Sequence, residues 1–250
     1  MRVYGFILFV FVLISCGGEN TPDCFQSAGD MQKIEVGVTA FENITVFENL
    51  NLVLTQGDDF KVEIESGENL INDITAKVED DRLILRNEND CNWFRTYGIS
   101  TVYVTCPDLK QLRSSTGGLI QSNGPLGFES LSLVSESFNV PEAETTDGSF
   151  DLELNTETVG IVVNGIAYFK LRGNSQNLSV NIASGDSRIE AQELIATNVV
   201  VNHRGTNNII VNPQEQISGV IRSYGDVICV NRPPSVLVDE QFEGKLIFQD

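Results

Sequence analysis

Apolar and polar residues alternate along this chain in short runs, and no stretch sustains the 3.6-residue period of an amphipathic helix. Leu83 and Leu85, Val102 and Val104, Leu131 and Leu133, Leu152 and Leu154, Ile161 and Val163, and Val199 and Val201 each stand two apart. Asn, Asp, Ser and Gly bound the runs. Period two with turn residues between predicts many short β-strands, so the fold class is all-β, with helix confined to a terminal turn. Asp58-Asp59 and Asp80-Asp81 precede strands and read as turns.

A longer period overlies the alternation. Gly165, Gly185, Gly205 and Gly225 are 20 residues apart. Four residues beyond them stand Phe169, Ile189, Ile209 and Cys229. Six beyond stand Leu171, Ala191 and Val211, before Asn231 breaks the column, and Val180, Val200 and Val220 make a further one. A repeat of about 20 residues holds two or three short strands with their corners, one coil of a β-solenoid. The expectation is a right-handed parallel β-helix in which residues one coil apart stack at about 4.8 Å. The glycines are expected at corners with positive φ, and Asn174, Asn198, Asn202, Asn207 and Asn208 tolerate the same conformation.

The register fails between Gly117 and Gly165, where residues 139–147 (Pro141, Glu142 and Glu144 among them) read as a loop pushed out of a coil. Residues 34–113 alternate without a period, as irregular early coils or a small capping β-layer. Residues 239–250, with Leu246 and Phe248, read as a last strand closing the open end of the stack.

The N-terminus sets the address. One basic residue (Arg2) and an apolar run from Val3 to Ile14 make a segment too short for a bilayer, which needs about 20 apolar residues. Such a segment ending in small residues reads as a secretory signal. Its ending, Leu13-Ile14-Ser15-Cys16, looks like a bacterial lipobox. The expected organisation is a signal peptide (1–15), a lipid-anchored flexible leash (16–33) starting at a lipidated Cys16, and a β-helical domain (34–250).

Charge narrows the partners. The chain carries 35 acidic against 16 basic residues, a net −19. So acidic a surface repels phosphate backbones, which excludes nucleic acid. Membrane attachment falls to acyl chains rather than to a basic patch. The location expected is the bacterial cell envelope, at the outer membrane or cell surface or on the periplasmic leaflet.

Five cysteines suit an exported chain. With Cys16 reserved for lipid, Cys24 in the leash and Cys91 in a polar stretch are expected to pair and fasten the leash to the first coils. Cys106 and Cys229 continue apolar columns and are expected to be free and buried. His203, the only histidine, reads as a corner residue beside Gly205, since zinc or a Ser-His-Asp set would need clustered partners. No metal or cofactor is expected.

Paired carboxylates are the remaining route to catalysis, because β-helices include polysaccharide lyases and hydrolases. Asp186, Glu190 and Asp226, with Arg188, Arg204 and Arg222, are the candidates. Asp186 and Asp226 share a column but stand two coils apart, near 10 Å. That exceeds the roughly 6.5–9.5 Å of inverting glycosidases. Solvated corner charge is the preferred reading. Trp93, Phe94 and Tyr97 form either a flat aromatic platform for sugar rings or a satellite core next to Cys91.

Cys91-Asn92-Trp93-Phe94-Arg95-Thr96-Tyr97, followed by Val102-Tyr103-Val104 and Pro107-Asp108-Leu109, resembles the head GIN domain of autotransporter adhesins. Phe41, Ile44 and Val46, leading to Val53-Leu54-Thr55-Gln56-Gly57, match the opening of that domain. Ser184-Gly185-Asp186 and Tyr224-Gly225-Asp226 look like its repeated glycine turns. The resemblance spans about residues 34–231 and implies a right-handed β-helix, borne by a lipoprotein or secreted protein, with no catalytic set. The chain departs from the pattern at residues 114–118, where Ser-Ser-Thr-Gly-Gly lacks a basic or aromatic residue, and at Glu136-Ser137-Phe138, which lacks a glycine corner. The function expected is a non-enzymatic, lipid-anchored adhesin or binding or structural module for glycan or protein. The alternative is a polysaccharide-acting enzyme on the same scaffold.

Overall fold

The computed structural model describes residues 27–89, 98–138, 143 and 145–249. The protein is all-β. Its first nine strands are β1 (Met31–Val36), β2 (Asn43–Phe47), β3 (Asn51–Gln56), β4 (Lys61–Gly67), β5 (Ile74–Glu79), β6 (Arg82–Asn87), β7 (Thr101–Cys106), β8 (Gln111–Ser115) and β9 (Leu119–Ser122). Then follow β10 (Ser130–Ser135), β11 (Ser149–Val163), β12 (Tyr168–Ile182), β13 (Arg188–His203), β14 (Ile209–Ile221), β15 (Val227–Cys229), β16 (Ser235–Glu240) and β17 (Leu246–Phe248). All belong to one continuous hydrogen-bonded sheet, nearly closed and barrel-like, around a single apolar core. Among the described residues the only helical turn is Ile71–Asp73, an internal rather than a terminal one.

From β10 onward each strand pairs in parallel with the preceding turn of chain. Phe169 lies on Phe150 and Val180 on Ile161, and the next turn brings Ile189 onto Phe169 and Val201 onto Val180. Each long strand lines two walls. The first half of β11 pairs with β9 and its second half with β10, just as β14 pairs with β15 and then β16. In β12 the alternation skips at Gln176 and Asn177, both exposed, where the strand passes from the first wall to the second.

The glycine-led column is partly as expected. Phe169, Ile189 and Ile209 are in register, but the fourth member is Val227, and Cys229 stacks on Val211. Phe150 extends the column, its ring stacked on that of Phe169 at 4.5 Å and 7°. Val180, Val200 and Val220 do not form a column. Val180 pairs with Val201, Val201 with Gly219, and Val200 faces solvent. The cause is a local slip: Lys170 pairs with Glu190 but Arg172 with Glu193, and a further shift follows Ala191. Because strand side chains alternate, one extra residue turns every later side chain to the other face.

The glycines serve close approach more than positive φ. Of the four, only Gly185 has positive φ, at 92°. A Cβ there would lie 2.2 Å from the Gly165 carbonyl oxygen one rung away, and a Cβ on Gly225 would lie 2.1 Å from that of Asn207. None of the five asparagines named above adopts positive φ. Asp80 and Asp81 do, at 48° and 60°, forming the two-residue turn of the β5–β6 hairpin.

Residues 34–113 lack a period because the chain does not wind there in spatial order. β2 is sandwiched between β6 and β8, and β3 between β7 and β9, all in parallel. Ile44 therefore touches Leu83 on one side and Leu112 on the other. Antiparallel strands cover the outer end, β5 on β6, and β4 between β7 and β1. Both expectations hold in part: irregular coils, with a cap beyond them. The stretch expected to be leash is bound at its end. Met31, Gln32 and Lys33 pair with β4, and Glu68 N and Asn69 N donate to the carbonyls of Asp30 and Ala28. At the far end the closing rung has two strands, β16 and β17, and starts at Ser235 rather than near Asp239.

Candidate functional site

Cys16, Cys24, Cys91, Trp93, Phe94 and Tyr97 lie outside the described residues. The chain on either side of the aromatic segment is fixed. Asn89 Nδ2 donates to the Leu70 carbonyl at 3.1 Å, and Asn51 Nδ2 donates to the Gly98 carbonyl at 2.7 Å. Gly98, Asn49, Asn51, Gly117, Gly118 and Leu119 line an open depression of about 260 Å³. A Cβ on Gly118 would meet the Leu50 carbonyl at 2.0 Å, so bare backbone forms this floor.

The two departures from the family pattern meet in space. Arg113, next to the Ser-Ser-Thr-Gly-Gly run, is buried against Glu136, with Nη2 at 2.9 Å from Oε1 and Nη1 donating to the Glu136 carbonyl at 2.9 Å. Glu136 Oε2 accepts from Phe138 N at 2.7 Å, so a side chain supports the turn where a glycine was expected. A buried pair with two guanidinium nitrogens and both carboxylate oxygens engaged holds a corner shut, although Arg113 Nε makes no hydrogen bond.

The candidate carboxylates do not converge. Asp186 accepts from Thr206 Oγ1 at 2.5 Å, Asp226 from Lys245 N at 2.8 Å, and Glu190 from Tyr168 Oη at 2.5 Å and from Arg188 at 2.6 Å. Each is engaged with the next rung or its own strand. The Glu190 carboxylate, with burial second, pushes the Tyr168 hydroxyl up to about 12. Among the described residues no three His, Cys, Asp or Glu side chains form a metal-holding group.

His203 is an interior residue and not a corner one. It is fully buried in the column between Ile182 and Ile221. Its Nδ1 accepts from Gly205 N at 3.3 Å, while Nε2 makes no hydrogen bond and abuts Gly225, where a Cβ would come within 2.4 Å. Burial lowers its pKa below 6.5, opposed by the Asn207 backbone and the Asp226 charge. Cys106 and Cys229 are free and buried, as expected, and burial raises both thiols to about 12. They are inert packing residues.

The two walls differ in their outward chemistry. The first carries ion pairs: Arg172 bridges Asp151 and, at 3.5 Å, Glu153. The second carries hydrogen-bonded amides. Asn198 Nδ2 donates to Asn177 Oδ1 at 3.1 Å, and Asn202 Nδ2 to Asn181 Oδ1 at 2.7 Å. Arg222 continues the second ladder, donating to Asn202 Oδ1 at 3.0 Å and to Gln241 Oε1 at 3.1 Å. Sequence reading missed this face because the slip in β13 hides which of Val200, Val201 and Asn202 point outward.

The chain is all-β, its later strands stack in parallel turn upon turn, and the candidate carboxylates lie apart on an open flank. The family model "Putative auto-transporter adhesin, head GIN domain" matches residues 40–233, and the chain belongs to that family. Among solved structures it is similar to a "putative adhesin" from Bacteroides fragilis (TM-score 0.77, 20% identity, 88% of this chain and 97% of that one). It is also similar to a "putative adhesin" from Parabacteroides merdae (TM-score 0.62, 16% identity, 89% and 97%). A third is a "putative lipid binding protein" from Parabacteroides distasonis (TM-score 0.61, 15% identity, 88% and 97%). At these identities the likeness is one of fold. No curated protein matches the chain.

Proposed function

We propose that the chain is a non-enzymatic binding protein of the bacterial envelope, anchored by lipid on Cys16 and wound as a right-handed parallel β-helix. A Cys24–Cys91 disulfide fastens the leash, and Trp93, Phe94 and Tyr97 present a sugar-stacking platform. The observation that carries the reading is the pairing of strands turn upon turn into flanks that are rigid, polar and open. The depressions described along them are open, at about 260, 300 and 410 Å³, and the carboxylates are committed to neighbouring rungs. Such a surface suits an extended partner met by many weak contacts. Membership of the adhesin family supports a location at the cell envelope or surface.

A glycan array probed with the full chain in detergent tests it, alongside Trp93→Ala. Binding is expected, and is expected to fall at least tenfold in the variant while its thermal melt is kept. Turnover of any arrayed glycan would overturn the non-enzymatic reading. Cys16→Ser should release the protein from membranes, and a variant that stays membrane-bound would overturn the anchor.

A further inference from the structure

We propose that the second wall is a contact face for an uncharged, hydroxyl-rich polymer, that is, a neutral polysaccharide. This rests on the binding reading above and names its ligand class and surface.

Charge distribution is the first support. The chain has 35 acidic residues in 250, yet the outward positions of β10 and of the second halves of β11–β14 hold no charged side chain. Charge resumes at the borders, with Glu129, Glu157 and Glu215 on one side, Arg204 and Arg222 on the other, and Asp239 on β16. A neutral strip on so acidic a protein excludes partners recognised by charge.

The chemistry of the strip is the second support. Asn177, Asn181, Asn198 and Asn202 are locked in orientation by the ladders between rungs. An amide has two donors and two acceptor sites, so a ladder of two leaves N–H and C=O capacity facing out. Between these columns stand Ser179 and the exposed Val200. Aligned amides beside methyl groups complement a sugar chain, which offers hydroxyl edges and C–H faces. The strip itself has no Trp or Tyr, and Arg222 at its border is tied to Asn202 and Gln241 rather than free to anchor a protein partner.

The test uses two pairs of variants with equal charge change. Asn177→Asp/Asn181→Asp keeps the oxygens that accept from Asn198 and Asn202, removes the outward donors, and places charge on the strip. Asn174→Asp/Gln176→Glu adds the same charge just before it. Full chain in detergent is run by affinity electrophoresis through dextran, laminarin and soluble starch, with alginate and pectin as acidic probes, and each variant is checked by thermal melt. Retention is expected on at least one neutral polymer and on neither acidic one. It should fall at least tenfold in Asn177→Asp/Asn181→Asp with the melt preserved, and hold in the control pair. Retention lost to Trp93→Ala but untouched by Asn177→Asp/Asn181→Asp would overturn this face and leave the aromatic platform standing. Retention of no polymer, or of the acidic ones equally, would overturn both for glycans and favour a protein partner.

Discussion

The two halves of this molecule use one kind of strand in opposite ways. From β10 to β17 each turn of chain lies on the one before, so neighbours in space are about one repeat apart in sequence. From β1 to β9 the winding doubles back, β2 and β3 sit between later strands, and an antiparallel layer covers the outer end. A periodic stack is a sum of similar rungs, whereas an interleaved body stands or falls as a unit.

Deletions expose this contrast most strongly. Removing residues 102–121 strips β3 of both partners, β7 and β9, and is expected to abolish folding, read as loss of the far-ultraviolet β signal. Removing residues 189–208 joins Arg188 to Ile209 one rung shorter and leaves β14 one residue out of step with β12 on the second wall, a slip of the size the stack already absorbs between β12 and β13, so it should leave a folded protein with a cooperative melt. If both deletions unfold the chain, the halves are not different in kind.

Next in size is the corner where the halves meet. Glu136→Ala leaves Arg113 charged and buried, and should lower stability by about 3–5 kcal/mol in a denaturant titration. Arg113→Met/Glu136→Leu should recover most of that loss.

Within the stack, Gly185→Ala places a Cβ 2.2 Å from a backbone oxygen at positive φ. It should lose about 2–3 kcal/mol. At Gly205 the nearest atom is a side-chain carbon of Ile182 at 2.8 Å, with φ not positive, so Gly205→Ala should lose about 1 kcal/mol. Equal losses would mean that the rungs do not approach as described.

The smallest effect is that of pH. His203 has a folded pKa below the ordinary 6.5, so the unfolded chain takes up a proton that the folded one resists. The His203 contribution is fully present above about pH 6.5 and is lost as pH falls toward the folded value. The slope is up to about 1.4 kcal/mol per pH unit. His203→Leu should flatten that part of the profile between pH 5 and 7, and an unchanged slope would remove His203 as its source.

How far the fold could be read in advance follows from the same contrast. Gly165 to Gly225 revealed the repeat because backbone contact between rungs forces glycine at Gly165, Gly185 and Gly225, while Gly205 keeps the period over a looser, side-chain contact. The valine column misled because extra residues in β13 shift the second wall while the first keeps step, which no uniform period describes. The order of the early strands was beyond reach, since Ile44 meets Leu112 across a sequence separation that no local pattern encodes. Cys106 and Cys229 were legible from alternation alone. His203 was not, because a polar residue inside an apolar column looks from sequence like a corner. The polar flank needs the true register before its outward residues can be named.

That register is tested most directly by engineered disulfides on the second wall. Ser179 is paired with Val200, at neighbouring-strand distance, and Ser179→Cys/Val200→Cys should cross-link on mild oxidation. Val200 is paired with Ser218, which leaves Val220 two residues further on, about 8 Å away, and Val200→Cys/Val220→Cys should stay reduced. Peptide mapping that finds the first bridge and not the second is the predicted result. The second bridge forming in place of the first would contradict the stack described here.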